Sequence, residues 1–177
     1  MREGKNSGMR GSTGEGREAA AAAAGVPGPQ ERVVDREIRL IPYYRNDEAS
    51  LPWYQDPDVC KQVDNRDEPY DLATLHGMYD HLCAHGECYY IEYEGKLVGD
   101  ISLGDNAEVS IVVCREYQNR HIGRSCVRNM LARAGEKGLK EVTAKIYSFN
   151  TQSQKMFRAV GFVETEEGWY RCPVPES

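Results

Sequence analysis

One stretch, residues 108–125, constrains the fold more than any other part of the sequence. In its first part, Val109, Ile111 and Val113 alternate with other residues, which predicts a β-strand with these three side chains on one face. In its second part the apolar residues recur every four positions, which predicts a helix whose first turn is residues 120–124. The recurring positions are Ile122, Cys126, Met130 and Ala134.

The turn between this strand and this helix is a candidate anion site. A helix start exposes unpaired backbone N–H groups and the positive end of the helix dipole. Arg120 and Arg124 add positive charge, and Gly123 allows a bulky anion to approach the backbone. An ordinary strand-to-helix turn with two solvated arginines would explain the same residues, so both interpretations stay open at this point.

The charge is unevenly distributed along the chain. Residues 31–107 carry 7 basic and 17 acidic side chains, a net charge of −10, whereas residues 108–160 carry 10 and 4, a net charge of +6. This separation suggests an anion, such as a phosphorylated cofactor, for the basic half and a cation for the acidic half. Nucleic acid is less favoured, because the basic residues lack interleaved aromatic side chains.

The composition predicts one α/β domain, residues 31–177, after a disordered tail. Residues 1–30 are rich in glycine, alanine and charge, and they offer little apolar surface to bury. No apolar run approaches the ~20 residues of a membrane span. The six cysteines form no C-x-x-C pair and no signal peptide is visible, which predicts reduced thiols in a cytoplasmic protein.

A metal site is weighed and set aside. His81 and His85 are spaced to share a helix face, with Cys83 and Cys88 nearby. No second cluster completes a known zinc spacing, so we expect no metal.

The apolar patterns predict the element order β-α-α-β-β-β-α-β-α-β-β, a mixed sheet flanked by helices. Glu94-Gly95 predicts a tight hairpin between two of the strands. Asn46 or Asp47 begins a short helix that ends at Asp56-Pro57. The other predicted helices follow Asp71, Gln118 and Asn150, and the strands cover 36–43, 88–93, 96–103, 109–113, 142–147, 162–165 and 169–172.

Two motifs resemble those of the GNAT acyltransferases, which transfer an acyl group from coenzyme A to an amine. The family's cofactor loop is Q/R-x-x-G-x-G/A, and residues 118–123 read Gln-Asn-Arg-His-Ile-Gly. A second motif, Asn-x-x-Ala/Ser-x-x-x-Tyr-x-x-x-Gly-Phe, has counterparts at Asn150, Ser153, Phe157, Gly161 and Phe162.

Within the superfamily, the stretches that begin at Trp53, Asp67 and Asn106 are similar to the branch of ribosomal-protein N-terminal acetyltransferases. That branch borders the aminoglycoside N-acetyltransferases.

The resemblance implies an α/β (α+β) fold with a mixed, mostly antiparallel sheet of six to seven strands and about four flanking helices. It also implies that the family's fourth and fifth strands, which are parallel, splay apart, and that the pantetheine arm of acetyl-CoA lies between them. The Val113 N–H would then polarise the thioester carbonyl. The implied cofactor-binding residues are Ile111, Val113, Gln118, Asn119, Arg120, His121, Ile122, Gly123, Arg124, Ser125, Asn150, Ser153 and Phe157.

Two residues depart from the family pattern. His121 stands where the first loop glycine usually lies, and we expect it in a turn with negative φ. Phe157 stands where the family often has a tyrosine that protonates the departing thiolate, so that role cannot be assigned to it. Tyr147, Tyr170 or water could supply the proton, although packing roles fit the tyrosines better.

The implied reaction also needs a base, because an amine with a pKa of about 10.4 is almost fully protonated at neutral pH. Glu108 is the candidate, and a surface glutamate paired with Lys145 is the alternative. The predicted function is transfer of an acetyl group from acetyl-CoA to a primary amine by a monomer or homodimer. The acceptor is a cationic small molecule or peptide, such as a polyamine, an aminoglycoside or a peptide N-terminus. The alternatives are a silent acyl-CoA-binding sensor and a cofactor-free interaction module.

Overall fold

The computed structural model describes residues 28–176, and the predicted tail lies almost entirely outside them. The described elements lie in the compact unit that begins at Glu31. The strands are β1 (Arg32–Val33), β2 (Ile38–Pro42), β3 (Gly86–Tyr93), β4 (Lys96–Gly104), β5 (Val109–Val113), β6 (Glu141–Lys145), β7 (Val163–Glu166) and β8 (Trp169–Pro173). The helices are α1 (Asp47–Gln55), α2 (Pro57–Asp64), α3 (Leu72–Ala84), α4 (Ile122–Glu136) and α5 (Thr151–Val160).

The strands form two antiparallel sheets. The larger has the order β1-β2-β3-β4-β5 and the smaller has the order β6-β8-β7. The predicted α/β fold is confirmed with two corrections. The part of the chain that the structure describes contains five α-helices rather than about four, and its eight strands are divided between two sheets rather than joined in one.

The local signals at the turns and helix ends act as the sequence predicts. Glu94 and Gly95, with φ of 48° and 82°, close the β3–β4 hairpin with both residues in the left-handed region. The Oδ1 atom of Asn150 accepts a hydrogen bond from the backbone N–H of Ser153 at 3.2 Å, which caps α5. Gly161, with φ of 122°, ends the same helix.

Helix α2 is an element that the sequence analysis misses. The Asp56-Pro57 pair ends α1 as predicted, but it also begins the next helix. The Asp56 side chain accepts a hydrogen bond from the N–H of Asp58 at 2.9 Å, and Pro57 occupies the first turn, where no N–H is needed. Val59 and Cys60 are buried, so this acidic segment is amphipathic.

The larger sheet separates two apolar clusters. On one face, Ile101 and Val109 pack with the apolar side of α4, including Met130. On the other face, Tyr90 and Val112 pack with side chains from α1, α2 and α3. Strand β5, the terminal strand of the larger sheet, therefore contributes to both clusters.

Among residues 28–176, no helix is long and apolar enough to cross a bilayer. No group of three or more potential metal ligands is found there. The rings of His81 and His85 lie 4.5 Å apart, and none of the six cysteines forms a disulfide bond within this range.

Candidate active site

The site is organised around the gap between β5 and β6. The two strands are joined at their beginnings by a bond from the Thr143 N–H to the Ala107 carbonyl at 2.9 Å, as part of a parallel bridge. Beyond that point they belong to different sheets. The splayed parallel pair that the resemblance implies is therefore present.

The pairing of β5 with β4 shows which backbone groups face this gap. The Gly104 N–H donates to the Glu108 carbonyl and the Cys114 N–H donates to the Val98 carbonyl, both at 2.8 Å. In an antiparallel pair, alternate residues bond to the neighbouring strand. Even-numbered residues of β5 thus bond to β4, and the backbone groups of Ile111 and Val113 point to the open edge.

Gln118 occupies part of that edge. Its Nε2 atom donates a hydrogen bond to the Val113 carbonyl at 2.9 Å. This bond fixes the strand end to the loop before α4 and satisfies the carbonyl. The Val113 N–H, the donor that the resemblance assigns to the thioester carbonyl, points to the same open edge.

The loop after Gln118 reaches the helix through two residues in the left-handed region. Asn119 and His121 have φ of 62° and 63°. The expectation of a negative φ at His121 is therefore wrong, and the residue adopts the conformation for which glycine is suited. Helix α4 begins at Ile122, so the predicted first turn at residues 120–124 starts two residues too early.

The first turn of α4 presents free donors. His121 makes no side-chain cap, and the first intrahelical bond runs from the Ser125 N–H to the His121 carbonyl at 3.2 Å. The N–H groups of Ile122, Gly123 and Arg124 precede that bond and have no partner within the helix. The buried Nε of Arg124 also lacks a hydrogen-bond partner. Unpaired buried donors at a helix N-terminus fit an anionic ligand such as a phosphate.

Gly123 is not required by contacts within the protein. A Cβ atom at this position would lie 3.5 Å from Met156 Cε and 3.8 Å from Ile111 Cδ1, which are ordinary distances. Its φ is not positive, so neither the packing nor the backbone conformation requires glycine at this position. The close approach of an anion to Gly123 stays a prediction.

We expect Gly123→Ala to leave the free energy of unfolding unchanged or to raise it by up to ~1 kcal/mol, because alanine is the better helix former. Urea unfolding measures this directly. As a control, Gly99→Ala should be strongly destabilising, since a Cβ there would lie 2.0 Å from the Val112 carbonyl oxygen. A large loss of stability in Gly123→Ala would contradict the packing described above.

A cavity of about 730 Å³ lies between β5, α4, α5 and the α1–α3 face. Arg120 and Ser125 are not among its lining residues, and Arg120 instead stacks on the Tyr117 ring at 5.0 Å. The sequence analysis missed Gln152, Lys155 and Met156, which line it from α5. The predicted cofactor-binding residues that do line it are Ile111, Val113, Gln118, Asn119, His121, Ile122, Gly123, Arg124, Asn150, Ser153 and Phe157.

Helix α5 closes one side of this cavity. The Nε2 atom of Gln152 donates to Asn119 Oδ1 at 3.0 Å, which ties the start of α5 to the loop before α4. Phe157 is 3% exposed and packs edge-on against Phe162 at 5.0 Å between ring centroids. The phenyl ring thus forms a wall between the cavity and the core.

Glu108 lies outside the large cavity. It is half-buried, its backbone N–H donates to Asn106 Oδ1 at 3.1 Å, and it lines an adjoining cavity of about 440 Å³. The two cavities share His81, Leu82 and Ser110. The structure therefore places Glu108 beside the site rather than in its wall.

The tyrosines considered as proton donors lie elsewhere. Tyr147 stacks on Phe149, and Tyr170 is fully buried with its hydroxyl near Arg158 and Glu164. Neither is among the residues that line the large cavity, whereas Tyr54, Tyr70 and Tyr117 are. Sequence periodicity offers no signal that separates these two groups.

A buried carboxyl group also lines the cavity. Asp100 on β4 is 3% exposed, and its Oδ2 atom accepts hydrogen bonds from the hydroxyls of Tyr54 at 2.6 Å and Tyr79 at 2.8 Å. Burial raises the pKa of Asp100 to about 6, although both hydrogen bonds act in the opposite direction. Asp100 could not be identified from the sequence, because Gly99-Asp100 is an ordinary pair of residues within a strand.

The residues present fit coenzyme A. Its phosphates would meet the amides that open α4 and the guanidinium of Arg124, with Lys155 nearby. Its amide-containing arm would meet the open backbone edge of Ile111 and Val113.

Comparison with known proteins supports this interpretation. The sequence model of the Acetyltransferase (GNAT) family matches residues 50–162. A domain from Methanocaldococcus jannaschii DSM 2661 has a similar structure, with 24% identity, a TM-score of 0.69, and coverage of 78% of this chain and 99% of that chain. Spermidine N-acetyltransferase from Vibrio cholerae, in complex with CoA and spermine, has 14% identity, a TM-score of 0.65, and coverage of 79% and 97%.

A third similar structure is the acetyl transferase from Salmonella typhimurium that modifies the N-terminal serine of the 50S subunit protein L7/L12. It has 11% identity, a TM-score of 0.64, and coverage of 82% of this chain and 99% of that chain. At such identities the likeness shows the fold, while the family match spans more than half of the sequence. Members of this family are acyl-CoA-dependent N-acetyltransferases that use acetyl-CoA, which confirms the predicted enzyme class and cosubstrate. The chain belongs to the GNAT family of acetyltransferases.

Proposed function

We propose that this protein transfers an acetyl group from acetyl-CoA to a primary amine of a cationic small molecule or peptide. One observation carries the proposal. A single cavity joins the free donors at the start of α4 to a wall that contains the carboxyl groups of Asp64 and Asp100. The first part suits a phosphate-bearing cosubstrate, and the second suits a positively charged acceptor.

Similar proteins support both a small-molecule amine and a peptide amine as the acceptor. One similar structure is a spermidine N-acetyltransferase with spermine bound, and another modifies the N-terminal serine of a ribosomal protein. The net charge of −10 over residues 31–107 agrees with a cationic acceptor.

When bound, acetyl-CoA supplies the activated acetyl group as a thioester. The chain's own contribution begins with the Val113 N–H, which points to the open edge and can donate to a carbonyl oxygen there. Val112, which precedes this N–H, is paired with Asp100 on β4, and Gln118 holds the Val113 carbonyl, which follows it, at 2.9 Å, so the strand is held on both sides of the donor before any ligand binds. A preoriented donor needs no reorganisation during the reaction.

Glu108 is the proposed proton acceptor for the amine. It shares one face of β5 with Ser110, and Ser110 lines both cavities. A proton can pass from the large cavity to Glu108 through a water beside the Ser110 hydroxyl.

Glu108→Gln is expected to lower turnover about tenfold at pH 7, since a general base contributes most where the amine is protonated. The deficit should shrink as the pH approaches the acceptor's pKa of about 10. Steady-state rates between pH 6 and 10 measure this, with coenzyme A affinity expected to stay unchanged. Glu116→Gln, an exposed glutamate on the Arg115–Tyr117 turn, serves as the control. Equal rates for Glu108→Gln and the parent enzyme at every pH would remove Glu108 from this role.

The function itself is tested in two steps. Coenzyme A should raise the melting temperature, because a ligand that binds only the native state stabilises it. Release of free thiol from acetyl-CoA should then depend on an added amine from a panel of polyamines, aminoglycosides and peptides. Stabilisation without thiol release would indicate a silent acyl-CoA sensor, to which the buried Phe157 is suited. The absence of stabilisation would leave a cofactor-free interaction module.

A further inference from the structure

The carboxyl group of Asp100 lacks a cationic partner. Buried carboxylates are normally paired with a positive charge or fully hydrogen-bonded, because an isolated charge is costly to remove from water. Within residues 28–176, the groups that donate to Asp100 are the phenols of Tyr54 and Tyr79, and no lysine, arginine or histidine forms an ion pair with it. Both phenols reach Oδ2, which leaves Oδ1 for a further donor.

This carboxyl group is part of the cavity wall and lies close to the open edge of β5. Asp100 is the register partner of Val112, and Val113 is the next residue along the chain. The α-carbons of such bonded partners lie about 5.5 Å apart. A ligand group held at Asp100 would therefore lie beside the strand next to the one that carries the Val113 N–H.

Apolar side chains line the cavity on the side of α2 and α3. They include Val59, Met78 and Leu82, and the Tyr70 ring lies on the same side. Such side chains suit a hydrocarbon stem, and the tyrosine rings can also contact a cation favourably. Polar side chains, among them Gln62, Thr74 and His81, line the same cavity, so a comparison with a peptide-like amine is part of the test.

We propose that Asp100, held in place by Tyr54 and Tyr79, binds the ammonium group of the acceptor, and that this acceptor is a primary ammonium on an apolar stem. The inference rests on the proposed function and adds to it the substrate class and the residue that recognises it. Removal of the proton is a separate step, which the proposed function assigns to Glu108.

Asp64 and His81 line the same cavity as Asp100, and the titratable groups packed directly against Asp100 are tyrosines and a cysteine. Tyr54 faces it from α1, Tyr79 from α3, and Cys88 and Tyr90 from β3. Burial raises the pKa of the three tyrosines, and a hydrogen bond with Cys83 together with burial raises the pKa of Cys88. They remain uncharged between pH 5 and 8. From β5 the facing residue is the apolar Val112. Since the pKa of Asp100 is raised to about 6, its carboxylate forms mainly above that pH.

Calorimetric titration of n-hexylammonium chloride into the full-length protein, with and without saturating coenzyme A, tests the proposal without relying on turnover. Asp100→Asn keeps the shape and the tyrosine bonds but removes the charge, and it should weaken hexylammonium binding at least tenfold at pH 7.5. Affinity for the neutral analogue 1-hexanol should not change. Asp67→Asn, the same substitution at a side chain that is 89% exposed, should leave both affinities unchanged.

A second measurement serves if the variant folds poorly. Hexylammonium affinity of the unaltered protein should rise about tenfold from pH 5 to pH 7 and then level off. Any one of four results would overturn the proposal. They are no binding of hexylammonium, equal binding of hexylammonium by Asp100→Asn, an affinity that does not change with pH, and tighter binding of glycylglycinamide than of hexylammonium. The titration with coenzyme A tests the proposed function independently of the titration with hexylammonium. If coenzyme A fails to bind, the proposed function falls, whereas the ammonium titration still decides the role of Asp100.

Discussion

Arg124→Glu is expected to weaken coenzyme A binding at least about 100-fold. The guanidinium lies in the first turn of α4, and its buried Nε lacks a partner within the described chain, so it is free to bind an anion. Loss of a charge-assisted hydrogen bond costs about 1.5–3 kcal/mol, and a carboxylate at the same place adds repulsion toward a phosphate. Isothermal titration with coenzyme A at two salt concentrations gives the affinity.

Arg128→Glu is the matched control for this substitution. It makes the same charge change on the same helix one turn later, at an exposed position. Its affinity for coenzyme A should change less than threefold, since surface charges are largely screened at physiological salt. The affinity of Arg124→Gln for coenzyme A should lie between those of the two glutamate variants. If Arg124→Glu bound coenzyme A as tightly as Arg128→Glu, the anion site at the start of α4 would be wrong.

Asp100→Asn is expected to change how stability depends on pH. Burial raises the pKa of Asp100 from 3.8 to about 6. The folded state therefore holds this proton more tightly than the unfolded state does. The resulting stability is complete below pH 3.8 and is lost as the pH rises through 6. Asparagine does not titrate, so it removes that loss.

Relative to the unaltered protein, the variant should gain about 2 kcal/mol in free energy of unfolding between pH 4.5 and pH 8. Urea unfolding at four or five pH values measures the difference, and titrations of all other groups cancel in it. Asp67→Asn, the same substitution at an exposed side chain, is the control. A difference for Asp100→Asn that stays constant over this pH range would mean that burial does not raise the pKa of Asp100.

Elements with local signals could be predicted from the sequence. Helix α5 has a capping Asn150 and a terminal Gly161, and it begins directly after Asn150, as predicted. The Glu94-Gly95 hairpin likewise depends on two adjacent residues. Such features need no knowledge of the rest of the chain.

The misses have a different physical origin. Pro57 predicts the end of α1, but proline is equally suited to the first turn of a helix, as it is in α2. The burial of Val59 and Cys60, which stabilises α2, depends on tertiary packing. The positive φ at His121 is imposed by the join between the loop and α4, and histidine gives little local sign of it.

The candidate active site likewise combines residues that local sequence predicts with residues that depend on tertiary packing. The cofactor loop is continuous in sequence, and most of its predicted residues line the cavity. Asp100, by contrast, acquires its character from Tyr54 and Tyr79, which lie 46 and 21 residues away along the chain. A carboxyl group with distant partners cannot be recognised from spacing alone.

The separation of β5 from β6 has a consequence for aggregation. Exposed strand edges readily recruit strands from other chains, and many proteins protect them with charges, proline or bulges. Here β5 is the terminal strand of the larger sheet, but the edge of Ile111 and Val113 faces a cavity that side chains of α4 and α5 also line, and Gln118 already bonds the Val113 carbonyl. The protein can thus offer peptide-like hydrogen bonding to a slender ligand while remaining closed to the broader backbone of a neighbouring molecule.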